Sequence, residues 1–567
     1  MNKNYSVHYW IYRQSKLKVL TGLLLAGATL VELSGISLIY PVIHLFLDLD
    51  EPKNKFLMSF QALLQTTGIP LDKWFLISII LLLIFAKAGL GIAYRYAVAI
   101  SVTSYLVSLR ERIFVLAFSS SYGAIDSQKG RLLNAMTSQS STASSAMQVQ
   151  FNILQSLISL LGIAILGMVI SFKLFTIALL IGGIMMFAGK YSVQFTKRLG
   201  KVMVTRNESY LTEVNQGLRG YRYLRAVGGE AQLSNSIHES LEMIKLTVRK
   251  FALVSRSTKS LTEPIVMVTM VAVLSIGITV LNIEIAVIML MYLVLGRVYT
   301  RLIATVGELQ AYGHQLVGVR YCDKLIRWLE SEEEAPGDIE WRELRSKFDF
   351  SDVSFSYGDR LVLKKVNFAI RAHEITVLMG RSGSGKTTVL AMVLGLIAPQ
   401  SGSILVDNID LQRIHKSSFR RHVGFVAQES VLFNGTVRHN LTIRNKQISD
   451  DWLIEYIKKF DLEHIFPDKQ VNLDYWLDES TSNISGGEKQ RLALIRELAI
   501  DPQILVLDEM TSNLDSIGTE KVIDHLQQLS HRVTIVIATH DQVIAGLADN
   551  VYQFEDGDVT KTKAASA

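Results

Sequence analysis

Cysteine is nearly absent: Cys322 is the only one in 567 residues. A single thiol cannot form an internal disulfide, and without paired histidines it builds no Cys-rich metal site, so Cys322 reads as a spectator. Charge is sparse over much of the chain. Residues from about 17 to 304 carry long apolar runs, whereas residues from 346 onward read as a soluble α/β domain. The net charge of +6 is modest and no basic stripe with interleaved aromatics is present, so nucleic acid is not an expected partner. The length exceeds what one domain holds.

A membrane span needs roughly 20 mostly apolar residues. Six segments qualify: about 18–47, 74–108, 151–171, 173–190, 263–282 and 285–305. Three residues separate the third from the fourth (Ser171-Phe172-Lys173) and the fifth from the sixth (Asn282-Ile283-Glu284), which predicts tight antiparallel hairpins. Lys3, Arg13, Lys16 and Lys18 precede an apolar run reaching Leu47. That run is longer than the core of about 7–15 residues in a signal peptide, so it reads as an uncleaved first span. Lys and Arg crowd residues 190–260 and recur at Arg110, Arg112, Lys129 and Arg131. By the positive-inside rule those loops, the N-terminus and the C-terminal domain face the cytosol. Six spans put both ends on one side, in agreement.

Ionisable groups at a span centre cost about 2.5–3.5 kcal/mol each, so they face a cavity or one another. Glu32 lies about 21 Å past Lys18 at 1.5 Å per residue, near mid-membrane. Lys87 and Arg297 lie 13 residues past Trp74 and Glu284, at similar depth, with Arg95 and Arg301 nearer the cytosol. Two readings coexist: a cationic cavity for an anionic head group, and structural pairing of Glu32 with Lys87 or Arg297. The outer loop between spans one and two places Phe56, Leu57, Phe60, Leu63 and Leu64 on one face of a short helix. That face could lie in the membrane interface or pack on the protein's own outer ends.

The soluble part holds two glycine-rich motifs, each present once. Gly380-Arg-Ser-Gly-Ser-Gly-Lys-Thr387 is a complete G-x-x-x-x-G-K-T phosphate loop, fed by the apolar strand Glu374-Ile-Thr-Val-Leu-Met379. Glycines let backbone N–H groups close around phosphate oxygens, and the following helix adds positive potential. The phosphate-binding candidates are Gly380, Arg381, Ser382, Gly383, Ser384, Gly385, Lys386, Thr387 and Thr388. Lys386 is expected on the β- and γ-phosphates and Thr387 on Mg²⁺. Ile504-Leu-Val-Leu-Asp508-Glu509 is a buried strand ending in two carboxylates. Asp508 is expected in the Mg²⁺ shell, and Glu509 as the general base on water. The second glycine motif is Asn483-Ile-Ser-Gly-Gly-Glu488, running into Lys489, Gln490 and Arg491.

Together, in this order, these motifs resemble the ATP-binding cassette of ABC proteins. The resemblance implies further roles. Tyr357 would stack on adenine, Gln428 would touch Mg²⁺ or water, and 512–515 would be the D-loop. His540 would contact the γ-phosphate. Ser485, Gly486, Gly487 and Glu488 would meet ATP on the phosphate loop of a second chain, so one cassette and six spans make half of a dimer. That dimer is expected to be a homodimer, with a heterodimer as the alternative. Segments at 121–126 and 215–220 resemble coupling helices, and the outer loop with the run from Glu32 to Pro41 resembles lipid-linked oligosaccharide flippases. Departures are Glu488 for the commoner Gln, Ile484 for Leu, Asn513 for Ala, and a segment around Glu479 that lacks flanking glycines.

The expected fold class is a membrane α-helical domain of six transmembrane helices with long cytosolic extensions, plus an α/β P-loop cassette. The domains are 1–315, a linker at 316–345, and the cassette at 346–567. The expected function is an ATP- and Mg²⁺-dependent half-transporter in a bacterial inner membrane. It would move a lipid, a lipid-linked saccharide or another amphipathic substrate outward. A peptide or drug exporter is the alternative, with no peptidase domain ahead of the spans, and a regulatory protein is the third reading.

Overall fold

The computed structural model describes residues 18–46, 73–281, 283–477, 484–510 and 516–562. The expected outer-loop helix at 56–64, the D-loop at 512–515 and the segment at 478–481 lie outside the described residues. The described residues form two compact units. One draws on 1–119 and 128–332, the other on 120–127 and 333–567.

In the first unit, long helices occupy the positions of the six expected spans. They are Lys18–Phe46, Lys73–Ser119, Ser140–Ile170, Phe172–Arg219, Glu230–Thr279 and Ile285–Ser331. Among the described residues, four helical segments are long and apolar enough to cross a membrane: Val19–Ile43, Trp74–Ser119, Gln128–Ile170 and Ile285–Ser331. A shorter apolar stretch covers Val266–Thr279. Helices of 47–50 residues are about 70–75 Å long at 1.5 Å per residue. That is more than twice the hydrocarbon thickness of about 30 Å. The last of these helices continues through 316–331, residues that the sequence reading gave to the linker.

The breaks follow local chemistry. Ser171 adopts an extended conformation (φ −156°) and separates two helices with one residue. Gly220 ends Phe172–Arg219, the short helix Tyr221–Val227 follows, and Gly228 (φ 66°) closes it. The core of this unit is apolar, with Ile163, Leu174, Leu290, Met291 and Val294 fully buried.

The second unit centres on a six-stranded sheet. Its order is Asp558–Thr562, Asn550–Glu555, Ile375–Gly380, Thr534–Thr539, Ile504–Asp508, Val423–Val426. All neighbours are parallel except the outermost pair, Asn550–Glu555 with Asp558–Thr562. The central strands read as continuous apolar runs because both faces are covered: Ile375–Gly380, Ile504–Asp508 and Thr534–Thr539 are buried along their whole length. A four-stranded antiparallel sheet formed by Lys347–Tyr357, Arg360–Arg371, Ser401–Val406 and Ile409–Asp410 lies alongside in sequence. Strand register sets Ala538 opposite both Leu378 and Asp508. Three adjacent strands therefore end at one edge, where Gly380, Thr539 and Asp508 emerge together.

Candidate functional site

The edge where those strands end opens into a cleft of about 540 Å³. It is lined by Tyr357, Arg360, Val362, seven residues of the phosphate loop (all but Ser384), Thr388, Gln428, Glu509 and His540. The loop's shape depends on its glycines. Gly380, Gly383 and Gly385 take φ of 147°, 79° and 108°, which side chains rarely adopt. A Cβ on Gly380 would lie 2.4 Å from the Phe554 carbonyl oxygen, and one on Gly385 would lie 2.8 Å from Leu363 Cδ2. Ser384 Oγ is buried without a hydrogen-bond partner among the described residues. The helix Lys386–Val393 starts directly behind the loop.

Lys386 is 5% exposed, and its Nζ donates to the carbonyls of Gly380 (2.7 Å) and Arg381 (3.1 Å). Burial pushes its pKa down, against the opposing pull of Glu509 and Asp508. Burial pushes the Asp508 carboxyl up, and the adjacent Glu509 charge adds to this; Lys386 and a hydrogen bond with Thr387 oppose it. A buried carboxylate beside a hydroxyl, both hard oxygen donors, fits Mg²⁺, and a bound cation relieves the repulsion between Asp508 and Glu509. Glu509 takes φ 47°, rare for a residue with a side chain, and its N–H donates to Ala538 O at 2.8 Å. Its carboxylate accepts from Gln428 Nε2 at 2.7 Å, with His540 Nδ1 at 3.8 Å. Tyr357 is 55% exposed at the mouth and stands edge-on to Phe355. The cleft thus brings together an exposed aromatic ring, a glycine-shaped loop at a helix start, a buried lysine, and a carboxylate beside Gln428 and His540.

Ser485, Gly486, Gly487 and Glu488 do not line this cleft. They begin the helix Gly486–Leu498, where Ser485 and Glu488 form a reciprocal capping box. Ser485 and Gly486 are exposed. Gln490 Nε2 donates to Gln428 O at 3.0 Å, tying this helix to the glutamine that meets Glu509.

In the membrane unit, Glu32 is 7% exposed, with Lys87 Nζ at 2.7 Å and Arg301 Nη2 at 3.9 Å. The Lys87 contact is an ion pair without hydrogen-bond geometry. Glu32 therefore meets Lys87 and Arg301, while Arg95 and Arg297 are exposed.

Residues 19–298 match the ABC transporter transmembrane region, and residues 363–512 match the ABC transporter domain. The chain belongs to the ABC transporters. An ATP-dependent lipid A-core flippase of Pectobacterium atrosepticum is 26% identical over 84% of this chain and 83% of its own length. The lactococcin-A transport/processing ATP-binding protein of Lactococcus lactis is 32% identical over 38% of this chain, which spans 30% of that protein. A bacterial Atm1-family ABC exporter solved with ATP bound shares the fold, with a TM-score of 0.79, 19% identity and coverage of 97% and 94% of the two chains. This ABC transporter is an exporter-type half-transporter and an integral membrane protein. Its cassette binds ATP, and its half-transporter architecture implies assembly with another half-transporter.

Sequence reasoning missed Arg360 and Val362 of the ABC transporter's cleft. They reach it because Gly358 (φ 57°) turns the chain between two antiparallel strands and pairs Tyr357 with Arg360. Their proximity to Tyr357 in sequence was the available signal.

Proposed function

We propose that this half-transporter forms a homodimer that flips an amphipathic, anionic lipid or lipid-linked saccharide outward across a bacterial inner membrane. The N-terminus and cassette lie in the cytosol. The observation that carries the substrate reading is the membrane-embedded cluster of Glu32, Lys87 and Arg301. Lys87 and Arg301 both lie against Glu32, inside spans where each charge costs about 2.5–3.5 kcal/mol, and Glu308 also faces Arg301. Keeping two cations at this depth makes sense if an anionic head group meets them. A relative that matches 84% of this chain is named a lipid A-core flippase, which supports the same reading. The relative named for lactococcin-A transport matches over a cassette-sized share only, so the peptide alternative has less support.

In the proposed cycle, ATP lies between the phosphate loop of one chain and Ser485 and Gly487 of the other. Lys386 and the loop N–H groups hold the phosphates, and Tyr357 faces adenine. Thr387, Asp508 and Gln428 would hold Mg²⁺, which offsets phosphate charge. Glu509 takes the proton of the attacking water, and His540 contacts the γ-phosphate. Segments 121–126 and 215–220 carry cassette movement to the spans. Grouping of 120–127 with the cassette unit supports the first of these.

Proteoliposomes reconstituted with the full chain test the substrate. ATP-dependent translocation of a fluorescent anionic glycolipid, without uptake of labelled peptide, is expected. Peptide uptake without glycolipid movement would reverse the assignment. Charge reversal at Lys87 or Arg301 should depress glycolipid transport, and unchanged transport would remove the cationic-cavity argument.

A further inference from the structure

The carboxylate of Glu488 accepts two bonds at once. Its Oε2 takes the Ser485 backbone N–H at 2.6 Å, and its Oε1 meets His464 Nε2 at 2.5 Å. An ionised carboxylate only accepts, so Nε2 is the protonated ring nitrogen. In return, Ser485 Oγ accepts from the Glu488 N–H at 3.3 Å. Glutamine, the commoner residue here, could take the Ser485 N–H with its oxygen only while donating its amide N–H to the other tautomer of His464; glutamate accepts from both, one oxygen for each.

The backbone around His464 is anchored by its buried neighbours, while its own side chain is 44% exposed. The residue lies in the short turn Glu463–Ile465 between the buried side chains of Leu462 and Phe466, and Asp461 pairs with Lys521 at 3.4 Å. The Glu488 side chain is 13% exposed, so the contact is partly shielded from water. Burial raises the Glu488 pKa, but the bonds from His464 and Ser485 outweigh it, and the net direction is down.

We propose that His464 is a positioning residue for ATP engagement: by holding Glu488, it fixes the turn that presents Ser485 to the nucleotide. The inference rests on the reading of Ser485 as an ATP contact made across the dimer.

The test uses the full-length chain in nanodiscs, with Glu509→Gln as the parent so that bound nucleotide is retained. The readout is the concentration of radiolabelled ATP that gives half-maximal occlusion. His464→Leu should raise it about tenfold, the low end for loss of one hydrogen bond to a charged group. His464→Gln keeps a donor near the Nε2 position and should stay within about twofold of the parent. His464→Asn is polar but too short to reach, and should behave as His464→Leu even if leucine disturbs folding. On a Glu488→Ala background, His464→Leu should add nothing. Parent-like occlusion in His464→Leu or His464→Asn would overturn the proposal. So would an equal shift on the Glu488→Ala background. Ser485→Ala separates the two levels. If it occludes ATP as the parent does, the trans reading fails and takes this inference with it. If it loses occlusion while His464→Leu does not shift, the role of His464 alone fails.

Discussion

Glu509 sits at φ 47° between Gln428 and His540, at the end of a fully buried strand. Left-handed backbone at a residue with a side chain costs of order 1–3 kcal/mol, which the strand and the bond to Ala538 O sustain. Glu509→Gln should cut steady ATP turnover by about 10²–10⁴-fold while ATP binding persists, measured on purified protein. Near wild-type hydrolysis would remove Glu509 as the base. Chemistry concentrated in one short segment was legible at this scale. The phosphate loop, Asp508 and Glu509 could be read because their spacing is local. The bonds from Gln490 to Gln428 and from His464 to Glu488 join residues 62 and 24 positions apart, and only the fold brings them together. His525 was unreadable for the same reason. It is buried among Tyr456 and Phe460, with both ring nitrogens lacking hydrogen-bond partners among the described residues. Burial, helped by the charges of Lys459 and Arg532, pushes its pKa from 6.5 to about 4. The unfolded chain then takes up a proton that the folded cassette refuses. The associated stability is intact above pH 6.5 and is lost as pH falls toward 4. His525→Leu should flatten that pH dependence and raise stability by about 1–2 kcal/mol, measured by thermal unfolding across pH.

At the scale of elements, apolar runs placed the spans, but they gave no helix lengths. Hydropathy ends where the membrane ends, whereas the backbone ladder continues through polar residues as far as Arg219 and Ser331. The π-helical turn at Ala135–Gln139 had no sequence signal. Arg110 braces its neighbourhood, donating to Ser140 Oγ, Ser141 Oγ and Thr137 O. Gly318 on Ile285–Ser331 permits a close approach there. A Cβ at that position would lie 2.7 Å from Thr142 Cβ and 3.0 Å from Gln139 O. Gly318→Val should therefore lower stability by about 1–3 kcal/mol, seen as a reduced thermal midpoint in detergent. An unchanged midpoint would mean that these helices separate easily at this point.

At the scale of the whole molecule, one chain supplies a cleft with a phosphate cradle and a base, while its exposed Ser485 lies outside the cleft lining. The account makes each ATP site from Lys386 of one chain and Ser485 of the other. Chains carrying Lys386→Ala and chains carrying Ser485→Arg, each with Glu509→Gln, can be given different tags, co-expressed and purified through both tags. In such a mixed dimer one site loses both groups and the other keeps both. Occlusion of about one radiolabelled ATP per mixed dimer is predicted, with almost none in either parent homodimer. If the mixed dimer occludes no ATP, the two groups do not combine across chains, and the two-chain site is contradicted.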